Sequence, residues 1–163
     1  MKAVVFGEDA LAPGAGALWG AAVEHVARRY HTVRPLVAGD LPADRDAATA
    51  ALDVWAGDEA ASWRRELSRF YEDHARLHLR RDPGLATLLR DLRRNNARLA
   101  AYGCGPREAS AQVFAFLGLD RKLDAVCLEP GPDGFAVACA ALGVDGADTR
   151  HVRTRAEAET VQA

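Results

Sequence analysis

From Arg98 onward the sequence repeats one unit, a short apolar run, a turn of glycine and proline, then a helix, and this alternation constrains the fold more than any other feature. Arg98 to Tyr102 reads as a strand and Gly103-Cys104-Gly105-Pro106 as a tight turn. Pro106 suits the first position of a helix running to about Leu117, because its fixed φ is helical and its missing N–H is not needed there. Gly118-Leu119-Asp120 ends that helix, and Ala125 to Leu128 is the next strand. Glu129-Pro130-Gly131-Pro132 forms a loop. Phe135, Ala138, Cys139 and Leu142 mark a helix closed by Gly143, and Thr149 to Val152 is a further strand. From Glu157 the chain is a polar tail or a final helix. Repeated strand–helix units of this kind build an α/β core of three layers around a mainly parallel sheet.

The first half differs. Ala3 to Phe6 is apolar and β-branched, as a buried parallel strand requires, and Ala12-Pro13-Gly14-Ala15-Gly16 breaks the chain after it. Residues 17–30 read as a helix with Leu18, Ala22, His25, Val26 and Arg29 on one side, followed by a turn-rich stretch around Pro35, Gly39 and Pro42. Over 58–81, Trp63, Leu67, Phe70, His74 and Leu77 recur at helical spacing, with Asp58 and Glu59 at the start and Arg80 and Arg81 at the end to suit the helix dipole. Asp82-Pro83-Gly84 stops that helix and opens another, with Leu85, Leu88, Leu89 and Leu92 on one face and Asn95-Asn96 as its C-cap. One strand, a helical insertion and then βα units give a core of residues 1–12 and 84–163 carrying a helical cap of residues 13–83.

The 163 residues are 49% hydrophobic and 27% charged, with a net charge of −2, so no basic excess points to nucleic acid. Lys2 and Lys122 are the only lysines. Cys104, Cys127 and Cys139 form neither a CxxC pair nor a metal-ligand spacing, which fits a reducing compartment. The apolar run at the N-terminus is too short for a signal peptide, and no stretch has the length of a membrane span. The expectation is a soluble cytoplasmic protein.

Several passages resemble, in the right order, the landmarks of the haloacid dehalogenase (HAD)-like hydrolase superfamily. Lys2 to Leu11, with Gly7-Glu8-Asp9 at the strand's exit, resembles the opening in which an apolar strand enters a DxDGTL motif. Arg98 to Arg107 is similar to the second strand and its Ser/Thr-Asn-Gly turn. Leu117-Gly118-Leu119-Asp120 with Leu123-Asp124-Ala125-Val126 resembles the family's "LGL…yFD.vv" passage. Glu129 to Phe135 resembles the KPDPxxF loop, and His151-Val152 stands where the family has its "HVGD" strand end. The resemblance implies a HAD-like, Rossmannoid core with a helical cap. Few residues follow Val152, so it also implies a sheet lacking its last strand, or one completed by another chain, as in a homodimer.

The family's chemistry, carried over by resemblance, needs a nucleophilic Asp, an acid–base Asp two residues later, a Ser or Thr after the second strand, a Lys, and acids that hold Mg²⁺. Here the nucleophile position is Gly7, while Asp9 keeps the acid–base position. The hydroxyl position is Gly103, the lysine position is Glu129, and the strand-four acidic pair is Arg153-Thr154, with Glu159 as a remnant acid. Glu8 offers a carboxylate that strand alternation aims away from the Gly7 direction. Gly7, Asp9, Gly103, Glu129 and Thr154 are therefore expected around one pocket that has lost its Mg²⁺ site and holds no cofactor.

Other residues carry sharper readings beside plain ones. Cys104, in a turn before a helix, is a candidate nucleophile with His151 as base, or simply a small residue in a tight turn. Arg153 and Arg155 stand as an anion site made from a cation site, or as a solvated tail. His74 and His78, four apart, lack a third metal ligand, and His74 lies on the apolar stripe. Trp55, Trp63, Phe70 and Tyr71 line a ligand pocket or pack the cap. The reading preferred from sequence is a degenerate HAD-like protein that binds a small molecule or a protein partner, with no nucleic acid and no membrane involved. The alternatives are a metal-independent enzyme using Asp9, Cys104 and His151, and an active Mg²⁺-dependent phosphatase or dehalogenase.

Overall fold

The computed structural model describes residues 3–129 and 133–161. Its strands are β1 (Ala3–Gly7), β2 (Arg98–Tyr102), β3 (Ala125–Cys127) and β4 (Thr149–Val152), in one sheet of order β3-β2-β1-β4. All the pairings are parallel, and β1 lies at the centre, with Gly7 opposite Tyr102 and Phe6 opposite Val152. The strand ends of β1, β2 and β4 therefore meet on one edge. The loops that leave them meet there too.

Side-chain alternation splits the sheet into two apolar faces. Ala3, Val5 and Ala100 pack with Ala138, Cys139 and Leu142 of α7 (Gly134–Leu142). On the other face Val4, Phe6, Leu99 and Ala101 join a larger cluster. That cluster takes in leucines of α5 (Pro83–Arg94) and Val113 and Phe114 of α6 (Arg107–Leu117). It also takes in Leu18 and Val26 of α2 (Ala15–Tyr30), Leu52 of α3 (Arg45–Ala56) and Trp63, Leu67 and Tyr71 of α4 (Ala60–His78). The inserted helices thus share one core with the strands. Each fully buried leucine or aromatic there contributes roughly 1.5–3 kcal/mol.

Local chemistry sets most boundaries. Asp82 caps α5 by accepting from the Leu85 N–H at 3.1 Å, with Pro83 in the first turn. Gly118 and Gly143 end α6 and α7 in the left-handed region. Two short helices frame the sheet edge, α1 (Glu8–Leu11) and α8 (Arg155–Glu159).

The structure corrects the sequence reading in three places. The stretch after Pro42 contains α3, capped by Asp44, whose Oδ1 accepts from the Ala47 N–H at 2.8 Å. Pro106 is the N-cap of α6 and not its first residue. In α4 the stripe turns from Phe70 to Tyr71 and Ala75, which are buried, and leaves Leu77 59% exposed, because 3.6 residues per turn carry position 77 off the core face. No helix of the described residues is long and apolar enough to cross a membrane.

Candidate functional site at the strand ends

Two adjacent residues leave β1 on opposite sides. Glu8 enters the protein and is 1% exposed. Its Oε2 accepts from the Cys104 N–H at 2.9 Å and from the Ser110 hydroxyl at 2.6 Å, and its Oε1 accepts from the Arg45 guanidinium at 3.1 Å. Burial pushes the Glu8 carboxyl up, while the Ser110 hydroxyl, the Arg45 charge and the Cys104 N–H favour its ionised form. The other Arg45 terminal nitrogen pairs with Asp9. Arg45, at the start of α3, is itself only 9% exposed through its side chain, and the Thr49 hydroxyl donates to its carbonyl at 2.7 Å.

The turn after β2 closes onto this network. The Gly103 N–H donates to the Cys127 carbonyl at 2.9 Å and the Gly105 N–H to Asp46 Oδ1 at 2.9 Å. Gly105, at φ +89°, lays its backbone against the Arg45 side chain in a conformation that favours glycine. A Cβ at Gly103 would stand 2.6 Å from the Ser110 Oγ and 2.7 Å from its Cβ. The Gly103 direction therefore leads into the Glu8–Ser110 network, and the β2 side chain beside Gly7 is Tyr102.

On the other side is an open cleft of about 770 Å3, lined by Tyr102, Cys104, Phe135 and His151 with Asp44, Asp46 and Asp133. The Tyr102 hydroxyl and the His151 Nε2 share a hydrogen bond at 2.8 Å, and Phe135 stacks on His151 with ring centres 4.3 Å apart. Burial, and then the Arg153 charge, hold the His151 imidazole below its ordinary range. Burial pushes the Tyr102 phenol up. A Cβ at Gly7 would meet the Tyr102 hydroxyl oxygen at 3.1 Å, so the phenol fills the space a longer side chain at position 7 would need. No lysine or arginine lines this cleft among the described residues.

Of the residues singled out from sequence, Gly103, Cys104 and His151 line this cleft together, and the others lie apart from it. Asp9 is half-exposed and tied to Arg45. Burial, reinforced by Glu8, pushes the Cys104 thiol up to about 12, the opposite of what a nucleophilic thiolate requires. Glu129 is exposed and pairs with Arg107. Pro130, Gly131 and Pro132 of the loop that resembles KPDPxxF lie outside the described residues. The Thr154 hydroxyl caps α8, accepting from the Glu157 N–H at 3.2 Å. Arg153 approaches Glu157 at 3.6 Å, and Arg155 pairs with Asp82 at 2.7 Å and Glu159 at 3.7 Å. His74 stacks on Phe70 at 4.0 Å. Trp55 and Trp63 line a separate hollow with Tyr30 and Val33. Among the described residues no three His, Cys, Asp or Glu side chains are grouped to hold a metal ion.

Arg45, Asp46, Ser110 and Tyr102 were not singled out from the sequence. The only signal for the first two is the Asp44 cap, which starts a helix there.

The architecture matches solved structures of the HAD-like class. A β-phosphoglucomutase from Clostridium difficile superposes with a TM-score of 0.67 at 15% identity, over 93% of this chain and 75% of that one. A Bacteroides fragilis protein described as a haloacid dehalogenase-like hydrolase gives 0.66 at 12% identity, over 96% and 80%. CbbY from Rhodobacter sphaeroides, solved in complex with phosphate, gives 0.64 at 16% identity, over 93% and 76%. The chain has the HAD-like α/β fold. No known family's sequence pattern matches it, and no curated protein matches it in sequence.

Proposed function

We propose that this chain is a non-hydrolytic binding protein on a HAD-like frame, whose strand-end cleft holds a ligand other than a phosphate ester, without a metal. One observation carries the reading: the groups best suited to receive an anion are already paired with the chain's own carboxylates. The Cys104 N–H goes to Glu8, the Gly105 N–H to Asp46, and the Arg45 guanidinium to Glu8 and Asp9. An incoming phosphate would have to displace a buried, fully bonded carboxylate, and phosphoryl transfer depends on positive charge at that place. Gly7 supplies no nucleophile, and the Asp9 carboxylate is paired with Arg45. The carboxylates and aromatic rings that line the cleft instead favour a neutral or cationic ligand.

Turnover of an aryl phosphate, measured with and without Mg²⁺, tests this. The expected rate is that of the buffer. Mg²⁺-dependent turnover that disappears in Asp9→Asn would overturn the reading and make the chain a working phosphatase.

The hydrogen bond between Tyr102 and His151 favours a second reading, a metal-independent enzyme in which these two move a proton at the cleft. In that reading His151 acts with Tyr102, and Cys104 stays a thiol.

A further inference from the structure

Away from the strand ends a furrow runs along α5 beside the end of α6. Two hollows of about 140 and 270 Å3 make it up, and they share Ala86, Leu89 and Lys122. Leu85, Leu89, Leu117 and Leu119 form the floor of the first hollow. Voids of roughly 150 Å3 lined by such residues hold a benzene-sized group, so this hollow takes one large apolar side chain.

The rim is basic. Arg80, Arg81, Arg90, Arg93, Arg121 and Lys122 line the two hollows, against one acid, Asp82. Asp82 is committed to Arg155 at 2.7 Å, Arg93 pairs with Asp124 at 2.8 Å, and Arg80 donates to the Arg76 and Leu79 carbonyls. Arg81, Arg90, Arg121 and Lys122 are exposed and make no ion pair among the described residues. A helix C-terminus accounts for Arg93 and Arg94. It does not account for Arg121 or Lys122, nor for Arg81, because α4 ends at His78 and leaves Arg81 beyond its last turn; the three converge on one face of a chain whose net charge is −2.

We propose that this furrow docks an acidic amphipathic segment of a partner protein, with an apolar side chain on the leucine floor and carboxylates over Arg81, Arg90, Arg121 and Lys122. Complementary charge would steer the encounter, and the apolar anchor would hold the complex. The length argues for a polypeptide over a small anion: from Pro83 to Arg93 the helix beneath the rim rises roughly 15 Å. The hollow argues against nucleic acid, whose phosphates would use the arginines and leave the apolar hollow above the buried leucines unfilled. This surface is independent of the strand-end cleft.

Fluorescence anisotropy with a labelled short peptide of glutamates, carrying leucines at helical spacing, tests the proposal. Two further ligands are measured beside it, the same peptide with Gln for Leu and a single-stranded oligonucleotide of equal charge. The leucine peptide is expected to bind about tenfold more tightly than either. Arg90→Glu with Arg121→Glu is expected to weaken it by about tenfold or more, with an unchanged circular dichroism spectrum because both residues are exposed. Added salt is expected to weaken it further. The proposal is overturned if the leucine peptide does not bind, if either comparison ligand binds as tightly, or if the double charge reversal changes nothing.

Discussion

Gly7 and Glu8 leave β1 side by side, and the places they face are built differently. Glu8 enters a buried network in which Arg45, Ser110 and the Cys104 N–H bond its carboxylate, and among the described residues no buried polar side-chain atom lacks a partner. Gly7, itself buried, faces the Tyr102 phenol, beyond which lies an open cleft where Tyr102 and His151 pair at 2.8 Å and carboxylates line the wall. The inner side spends its charge on holding three segments together: the end of β1, the turn after β2 and the start of α3. The outer side keeps aromatic and acidic groups turned toward solvent and whatever enters. A buried network sits on one side of the strand and an open cleft on the other.

Removing Arg45 is the strongest way to break that comparison. Arg45→Met should leave Glu8 buried without its cation and cost about 3–5 kcal/mol, read as a shift of the urea unfolding midpoint. A loss below about 1 kcal/mol, the range of exposed ion pairs, would mean that the inner network carries no more than a surface contact.

The same substitution on the two sides sharpens it. Gly103 and Gly7 both have backbones that alanine can adopt, so only the surrounding space differs. Gly103→Ala drives a methyl into Ser110, whose hydroxyl is fixed by Glu8, and should cost about 2–3 kcal/mol. Gly7→Ala meets the tip of the Tyr102 ring at 3.1 Å and the Arg153 carbonyl at an ordinary 3.6 Å, and should cost about 1 kcal/mol. Equal losses in thermal or urea unfolding would erase the distinction between a methyl driven into the Glu8–Ser110 network and one set against the Tyr102 ring.

How much of this was legible in sequence follows the same division. The fold was, because β-branched runs and Gly-Pro turns are local signals, and β2, β4, α6 and α7 fall within a residue or two of where those signals put them. That Gly7 brings no side chain to the end of β1 was also legible, whatever surrounds it. The inner network was not. Glu8 and Arg45 are far apart in the chain and meet only when α3 packs on the β2 turn, and an Arg after an Asp cap reads as an exposed helix residue. Nor was the place of Tyr102 legible: β1 and β2 pair with Gly7 opposite Tyr102, so the phenol fills the space beside Gly7.

The smallest expected effect belongs to the cleft and bears on what Tyr102 does there. The pair is half-exposed, so Tyr102→Phe should cost only about 0.5–1 kcal/mol in stability, the net worth of one hydrogen bond. Its informative readout is the His151 titration followed by NMR. Burial and Arg153 hold that imidazole below its ordinary range, so the ring is neutral at pH 7 and Nε2 can accept the phenol's proton. Because the folded-state value is depressed, stability from this group is fully present above the unfolded value of about 6.5 and is lost as pH falls through the folded one. Removing the phenol withdraws a donor that favours the neutral ring, so the His151 midpoint should rise and the acid-side loss of stability should shrink. An unmoved midpoint would mean that Tyr102 fills the volume beside Gly7 without sharing its proton, and the acid–base reading of this pair would fall with it.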